Sequence, residues 1–315
     1  MKRKAIIVGN KGQDGRILYD LLLAEDYELI GIDVGDVRSN VQEWKGKTVD
    51  VLNAGDVCGV VSIFRPNEIY YLAAYHHASQ EKKDDNITLF NKSMDSNVRG
   101  LLHILEAVRT TSPKSKIFYA ASSHIFGTPE KKRQDEHTPI NPENIYGISK
   151  ATSVFLCRSY RKKYQLFTAV GILYNHESSF REEKFVSRKI VTSAWQIREK
   201  MLDGLVIGDL NAEVDWGYAP DYVRAMRMIL NREKGGDYVI ATGRKHKVRD
   251  FVEIAFRFAG LDFQDYVKSD PSLVAGQDTV LVGNANKLRK ETGWRPSLTF
   301  RAMVKKLVQD ELKCK

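Results

Sequence analysis

Apolar and polar positions follow two rhythms along the first half of the chain. Short, nearly continuous apolar runs at residues 4–8, 27–32, 48–52, 68–72, 116–121 and 167–173 read as strands covered on both faces. Between them, apolar residues recur every three or four positions. Residues 16–25 place Ile17, Leu18, Leu21 and Leu22 on one helical face, and residues 54–63, 95–109 and 146–163 repeat that spacing. Arg65-Pro66-Asn67 stops the second of these helices. Strand and helix alternating at this period predict an α/β fold: a doubly wound parallel sheet (Rossmann) with right-handed crossovers. After about residue 174 the rhythm loosens into loops and shorter elements, and a helix at 299–312 closes the chain. The expected division is a sheet domain at 1–174 and a smaller C-terminal domain built mainly from 175–315, with some segments returning to the first.

Composition narrows the class. Of 315 residues, 43% are apolar and 28% charged, a globular balance that excludes a disordered or fibrous chain. No apolar run reaches the roughly 20 residues of a membrane helix. The opening Met1-Lys2-Arg3-Lys4 precedes an apolar stretch too short for a signal peptide, so it reads as the edge of the first strand of a cytoplasmic protein. Cys58, Cys157 and Cys314 have no metal-like spacing, so neither a disulfide framework nor a metal site is expected. The net charge of +9 is scattered rather than gathered into a stripe with interleaved aromatics. That favours a small phosphate-bearing ligand over nucleic acid or a membrane surface.

Gly9-Asn10-Lys11-Gly12-Gln13-Asp14-Gly15 follows the first strand and opens a helix. Glycines there let backbone approach a diphosphate, and the helix N-terminus offers N–H donors and a favourable dipole. Asp33 ends the second strand, where a carboxylate accepts from ribose hydroxyls and repels a 2′-phosphate. The expected cofactor is therefore NAD rather than NADP, with Arg38 the nearby cation that weighs the other way. Asp50 and Val51, ending the 48–52 run, are expected to flank the adenine. Leu72, Ala73 and Ala74 end the next strand, where small residues can pass close to the cofactor.

Tyr146 and Lys150 stand four apart on one helical face. A phenol near its usual pKa of about 10 is a poor base at neutral pH. An adjacent ammonium would lower that value and make the phenolate accessible. Ser122 ends a strand at the side of the sheet where open parallel sheets bind ligands, and its hydroxyl could meet the same substrate oxygen. His76 and His77, after the fourth strand, read as pocket wall rather than metal ligands.

These motifs carry a family resemblance. The glycine loop, Leu72-Ala73-Ala74, Asn97-Val98-Arg99-Gly100 and Tyr146 with Lys150 resemble the extended short-chain dehydrogenase/reductases that modify nucleotide sugars. Gly12-Gln13-Asp14-Gly15, Asn175-His176-Glu177-Ser178, Phe185-Val186-Ser187-Arg188-Lys189-Ile190 and Asp215-Trp216-Gly217 are most similar to the GDP-mannose 4,6-dehydratase branch. The resemblance spans nearly the whole chain. It implies oxidation at sugar C4, loss of water across C5 and C6, and reduction at C6, with the cofactor ending as it began. Tyr146 is then the acid/base, Lys150 anchors the nicotinamide ribose, Ser122 and Ser123 orient the substrate hydroxyl, and Gln13 and Asp14 belong to the cofactor loop. Asn175 is assigned by the same resemblance to the substrate phosphate. Such enzymes are dimeric or tetrameric, so a homodimer or homotetramer is expected.

Four departures bear on the reaction. Where the branch has a glutamate as elimination base, this chain has His124; an imidazole can also accept a proton near neutral pH. Val214 and Val274 stand where arginines hold the substrate diphosphate, and valine cannot replace a guanidinium. Arg181, Lys184, Arg188, Lys189, Arg244 and Arg249 are the cations that could compensate, with Lys184, Arg188, Lys189 and Arg249 the candidate substrate-binding ones, and most of the six are expected to be solvated surface charges. Finally, Asp33-Val34-Gly35 occupies the place of an arginine pair suited to NADP. The reading is an NAD-dependent sugar-modifying enzyme that dehydrates a nucleotide sugar if His124 serves as base. The alternatives are a dehydrogenase, keto-reductase or epimerase on the same scaffold, and, more remotely, a non-catalytic NAD sensor.

Overall fold

The computed structural model of the chain describes residues 2–75, 85–273 and 280–314; His76, His77 and Val274 lie outside the described residues. In chain order the elements are β1 (Lys4–Val8), α1 (Gln13–Ala24), β2 (Glu28–Asp33), β3 (Asp36–Ser39), α2 (Ala54–Phe64), β4 (Glu68–Tyr71), α3 (Asn86–Met94), α4 (Gly100–Thr111), β5 (Lys116–Ser122), α5 (Ile145–Tyr164) and β6 (Thr168–Leu173). There follow β7 (Asn175–Glu177), α6 (Val186–Arg198), β8 (Leu205–Ile207), β9 (Glu213–Tyr218), α7 (Ala219–Leu230), β10 (Asp237–Ile240), β11 (Lys245–Lys247), α8 (Val248–Ala259), α9 (Phe263–Tyr266), β12 (Val267–Ser269), α10 (Asn286–Thr292) and α11 (Phe300–Cys314).

Seven strands form the main sheet in the order β10-β6-β5-β4-β1-β2-β3. All neighbours are parallel except β3, which runs antiparallel to β2. The apolar runs are buried on both faces because helices cover both. One core joins the sheet to Val57, Leu105 and Val154 of α2, α4 and α5, and a second joins the other face to Leu18 of α1, Met226 of α7 and Trp294. A third core gathers α6, α8 and α11 around Trp216, beside the small sheets β11-β9-β7 and β12-β8. The loose second half of the sequence thus supplies both the edge strand β10 and a separate apolar centre. No helix among the described residues is long and apolar enough to cross a membrane.

Two sequence expectations are corrected. Residues 48–52 are not a strand, and the strand beside β2 is the hairpin partner Asp36–Ser39. Gly35 turns the chain with φ of 71°, while the Asp50 carboxylate captures the N–H of Leu52 at 2.9 Å. That side-chain bond competes with a ladder. The helix expected at 95–109 is part of a longer run, α3 and α4 joined by one wider turn at Asp95–Arg99. The wider turn frees two carbonyls: Ser96 O accepts from the Tyr71 hydroxyl at 2.6 Å, and Asn97 O accepts from Ser153 at 2.6 Å.

Candidate active site

The C-terminal ends of β1, β2, β4, β5 and β6 meet at one cleft of about 500 Å³. It is lined by Gly9, Gly12, Gln13, Asp14, Gly15, Asp33, Leu72, Ala73, Ala74, Ser122, His124, Tyr146, Lys150 and Asn175. Two glycines are there because nothing larger fits. A Cβ on Gly9, at φ of 88°, would stand 2.6 Å from Ala73 N, and one on Gly15 would stand 2.2 Å from Gly9 O. Gly12 caps α1 without a side-chain hydrogen bond, so no side chain competes for the first-turn N–H groups. This cradle fits a dinucleotide diphosphate. Asp33 faces the cleft from the end of β2 and accepts from Lys11 N at 2.8 Å and Val34 N at 2.9 Å. Arg38 instead stacks on Tyr19 and pairs with Asp20 at 3.1 Å, outside the cleft lining.

The reactive side chains converge from two elements. Asn144 caps α5 by accepting from Gly147 N at 2.7 Å, and Gly147 lies so close to His124 O that a Cβ would stand 2.6 Å from it. The helix start is thereby docked on the turn after β5. The Tyr146 and His124 rings meet edge to face, 5.8 Å apart. Asn144 Nδ2 lies 3.4 Å from His124 Nδ1. Behind them, buried Asn97 donates to Ser149 Oγ at 2.8 Å and accepts from Tyr75 N at 3.2 Å, joining α5 to the chain after β4.

Burial pushes the Tyr146 phenol up to about 12, against the hydrogen bond from Ser122 and the charge of Arg181. Burial draws Lys150 down to about 7. Its ammonium donates to Ala120 O at 2.8 Å and stands 5.7 Å from the Tyr146 ring. Within the cleft, Ser122 and Arg181 pull the phenol down against that burial.

The glycine loop is also locked to the second half of the chain, which the motifs did not reveal. Gln13 donates to His176 O at 3.0 Å and accepts from Ser178 Oγ at 2.8 Å. His176 Nε2 lies 2.8 Å from Asp14 Oδ2, and its Nδ1 lies 2.7 Å from Tyr174 O. Both ring nitrogens face acceptors, so the doubly protonated ring satisfies both. Burial pulls His176 down, yet the Asp14 carboxylate overrides it and the net direction is up. Asp14 is held below its ordinary value by the same partner, despite burial.

Other expected site residues fall elsewhere. Ser123 is buried, and Asp50 and Val51 do not line the cleft; the Val51 carbonyl faces His103 at 2.8 Å. Arg188 pairs with Glu311 at 2.5 Å, Lys189 donates to Val206 O at 3.0 Å, Lys184 pairs with Glu182 at 3.0 Å, and Arg249 is exposed on the first turn of α8. None of these four lines the cleft. Arg181 does, packed 3.6 Å over the Phe185 ring and 3.4 Å from Glu177. Val214 packs against the third core, so no charge stands at that position. Among the described residues no three His, Cys, Asp or Glu side chains converge as a metal site.

A family model described as GDP-mannose 4,6 dehydratase matches residues 6–307. The chain belongs to this family. GDP-mannose 4,6 dehydratase 2 of Arabidopsis thaliana is 34% identical over 99% of the chain and 87% of that protein. Among solved structures, RMD from Pseudomonas aeruginosa complexed with NADPH superposes with a TM-score of 0.83 at 18% identity, over 100% of both chains. The dTDP-glucose 4,6-dehydratase of Bacillus anthracis in complex with NAD gives 0.82 at 22% identity, over 99% of this chain and 97% of that one. Those two likenesses show the fold. This member of the GDP-mannose 4,6-dehydratase family is thus an extended short-chain dehydrogenase/reductase enzyme of the sugar dehydratase/epimerase type.

Proposed function

We propose that this protein binds NAD and a nucleotide-linked sugar, oxidises a ring hydroxyl through Tyr146, and eliminates water with His124 as the second acid/base. The observation that carries the reading is the His124 ring held against Tyr146 at the cleft, with Ser122 hydrogen-bonded to the phenol. The dinucleotide, when bound, supplies a nicotinamide ring that takes up and gives back a hydride. Gly9, Gly12 and Gly15 would hold its diphosphate, Asp33 its adenosine ribose, and Lys150 its nicotinamide ribose. Asp33 with Arg38 turned away favours NAD over its 2′-phosphorylated form.

Tyr146 accepts the proton of the hydroxyl being oxidised, and Ser122 shares a hydrogen bond with that oxygen. The ketone so formed acidifies the neighbouring C–H. His124 accepts that proton and returns one to the departing hydroxyl, which leaves as water. Arg181 is a cleft cation available to the substrate diphosphate, and Asn175 belongs to the same lining. The assembly is read as a homodimer or homotetramer.

A second reading has an observation of its own. An Asn144 amide donating to His124 Nδ1 leaves the proton of a neutral ring on Nε2. That ring gives a proton rather than takes one, and the reaction then stops at oxidation, reduction or epimerisation.

Incubation with NAD or NADP and a panel of nucleotide sugars in heavy water, followed by mass spectrometry, separates the two. Loss of water with deuterium uptake, abolished in His124→Gln while oxidation persists, supports dehydration. Net loss of two hydrogens, or deuterium exchange without dehydration, refutes elimination by His124. No turnover in any sugar, with NAD bound, refutes the proposed reaction on nucleotide-linked sugars.

A further inference from the structure

A second cavity of about 340 Å³ lies apart from the cleft, and the two share no lining residue. Arg133, Arg244 and Arg289 line it from three separate segments of the chain. Its floor is the pair Thr242 and Gly243 after β10, the stretch 283–285 before α10, and Asn286 at the start of that helix. We propose that this cavity is a second anion site, built for a phosphate-bearing ligand.

The floor is made rigid by one acid. Asp215 of β9 accepts from Thr242 N at 3.1 Å, Gly243 N at 2.9 Å and Gly283 N at 3.1 Å, and also from the Thr242 hydroxyl. The carboxylate is therefore spent on holding the two backbone segments together, and it offers little to the guanidinium groups above. Among the described residues, no carboxylate is joined to Arg133, Arg244 or Arg289 by an ion pair. Arg289 gives one Nη2 bond to Thr242 O at 3.0 Å, while its Nε is shut from solvent with no partner. A buried donor left without an acceptor costs about 1–3 kcal/mol, more when it is charged. Burial, together with the nearby guanidinium groups of Arg295, Arg133 and Arg244, disfavours the charge on Arg289, against the attraction of Asp215.

Three guanidinium groups brought around one hollow repel one another until an anion enters. A phosphoryl group answers this arrangement better than a carboxylate. It carries up to two charges and three terminal oxygens, enough to accept from several planar donors at once. A carboxylate has one charge and is used up by a single guanidinium. The site does not depend on which reaction the main cleft performs. Gly283 of its lining packs against Tyr174, which lines the cleft: a Cβ on Gly283 would stand 2.9 Å from the Tyr174 ring.

The test is calorimetric titration of the full chain with inorganic pyrophosphate, first alone and then with NAD at saturation. The wild type is compared with the double variant Arg133→Gln, Arg244→Gln, whose side chains are exposed. The expected result is binding that persists with NAD present, weakens as salt is raised, and falls about tenfold or more for each guanidinium removed. NAD affinity and thermal midpoint stay unchanged in the variant. Acetate gives no comparable binding. Inorganic phosphate and a nucleoside monophosphate are titrated separately, and tighter binding of the nucleotide assigns the anion to a nucleotide rather than to free phosphate. The proposal is overturned if the double variant binds pyrophosphate as tightly as the wild type, or if no binding is detected. It is equally overturned if NAD saturation abolishes the binding. If NAD itself fails to bind, the cofactor reading fails, and the arginine dependence still decides this site.

Discussion

The pair Asp14 and His176 ties the cofactor loop to β7 across 162 residues of sequence, and its energetics can be read from the structure. Both side chains are mostly buried, at 15% and 10% exposure, and joined at 2.8 Å. Removing one partner of a fully buried ion pair costs about 3–5 kcal/mol. The residual exposure brings Asp14→Ala below that range, to about 2–3 kcal/mol. His176→Ala loses the same pair, its bond to Tyr174 O, and a stack on Tyr222 at 4.4 Å. Those extras add about 1 kcal/mol each, for about 4 in all. The double variant should cost about as much as His176→Ala alone, so the cycle should return a coupling of about 2–3 kcal/mol. Asp14→Ala should lower the thermal midpoint by several degrees.

The pH dependence has a definite sign. His176 is raised, so its contribution is complete below the ordinary value of 6.5 and fades as pH rises through the higher folded value. Asp14 is lowered, so its contribution is complete above the ordinary value of 3.8 and fades as pH falls through the lower folded value. Between those limits the coupling should be flat, and toward alkaline pH it should shrink. Urea melts of the four proteins at three pH values supply the measurement. A coupling below about 0.5 kcal/mol, or one that grows with pH, refutes the charged pair.

Two further outcomes follow from the cleft. Gly15→Ala should lose dinucleotide binding by equilibrium dialysis while the chain stays folded, because the new methyl stands 2.2 Å from Gly9 O; unchanged affinity would mean the loop is not the diphosphate cradle. Arg181→Met should move the rise of rate with pH to higher pH, since its charge helps hold down the Tyr146 phenol, and should lower the neutral rate by about tenfold, with Arg181→Lys restoring the profile. An unshifted profile in Arg181→Met would remove Arg181 from the acid/base machinery.

Several features were legible because their signals are local. A run of buried residues such as Ala5-Ile6-Ile7-Val8 encodes a covered strand wherever it lies, and Tyr146 and Lys150 share a helical face by spacing alone. The glycines of the first loop announce a close backbone approach that no other residue could make. Residues 48–52 misled because Val49, Val51 and Leu52 imitate a strand, while the Asp50 side chain, acting two residues away, ends the backbone's chance of pairing. The cations misled for a different reason. Arg188 and Lys189 lie in a stretch that resembles the family, but the angle of α6 turns one to Glu311 and the other to the carbonyl of Val206. Arg181, a few residues earlier, is the one the chain lays along the cleft.

The sequence by itself determined the sheet and its crossovers, the glycine loop after β1, and the placing of Ser122, Tyr146 and Lys150 at one end of the sheet. Each is written in periods and spacings of a few residues, where backbone geometry leaves little choice. Only the tertiary structure decided that His176 answers Asp14, that Ser122 and Arg181 pull on the Tyr146 phenol, and that Arg133, Arg244 and Arg289 surround one hollow. Those relations join residues that are distant along the chain. They exist only once apolar burial has fixed the helices and loops against one another, and desolvation has set what each charge requires of its neighbours.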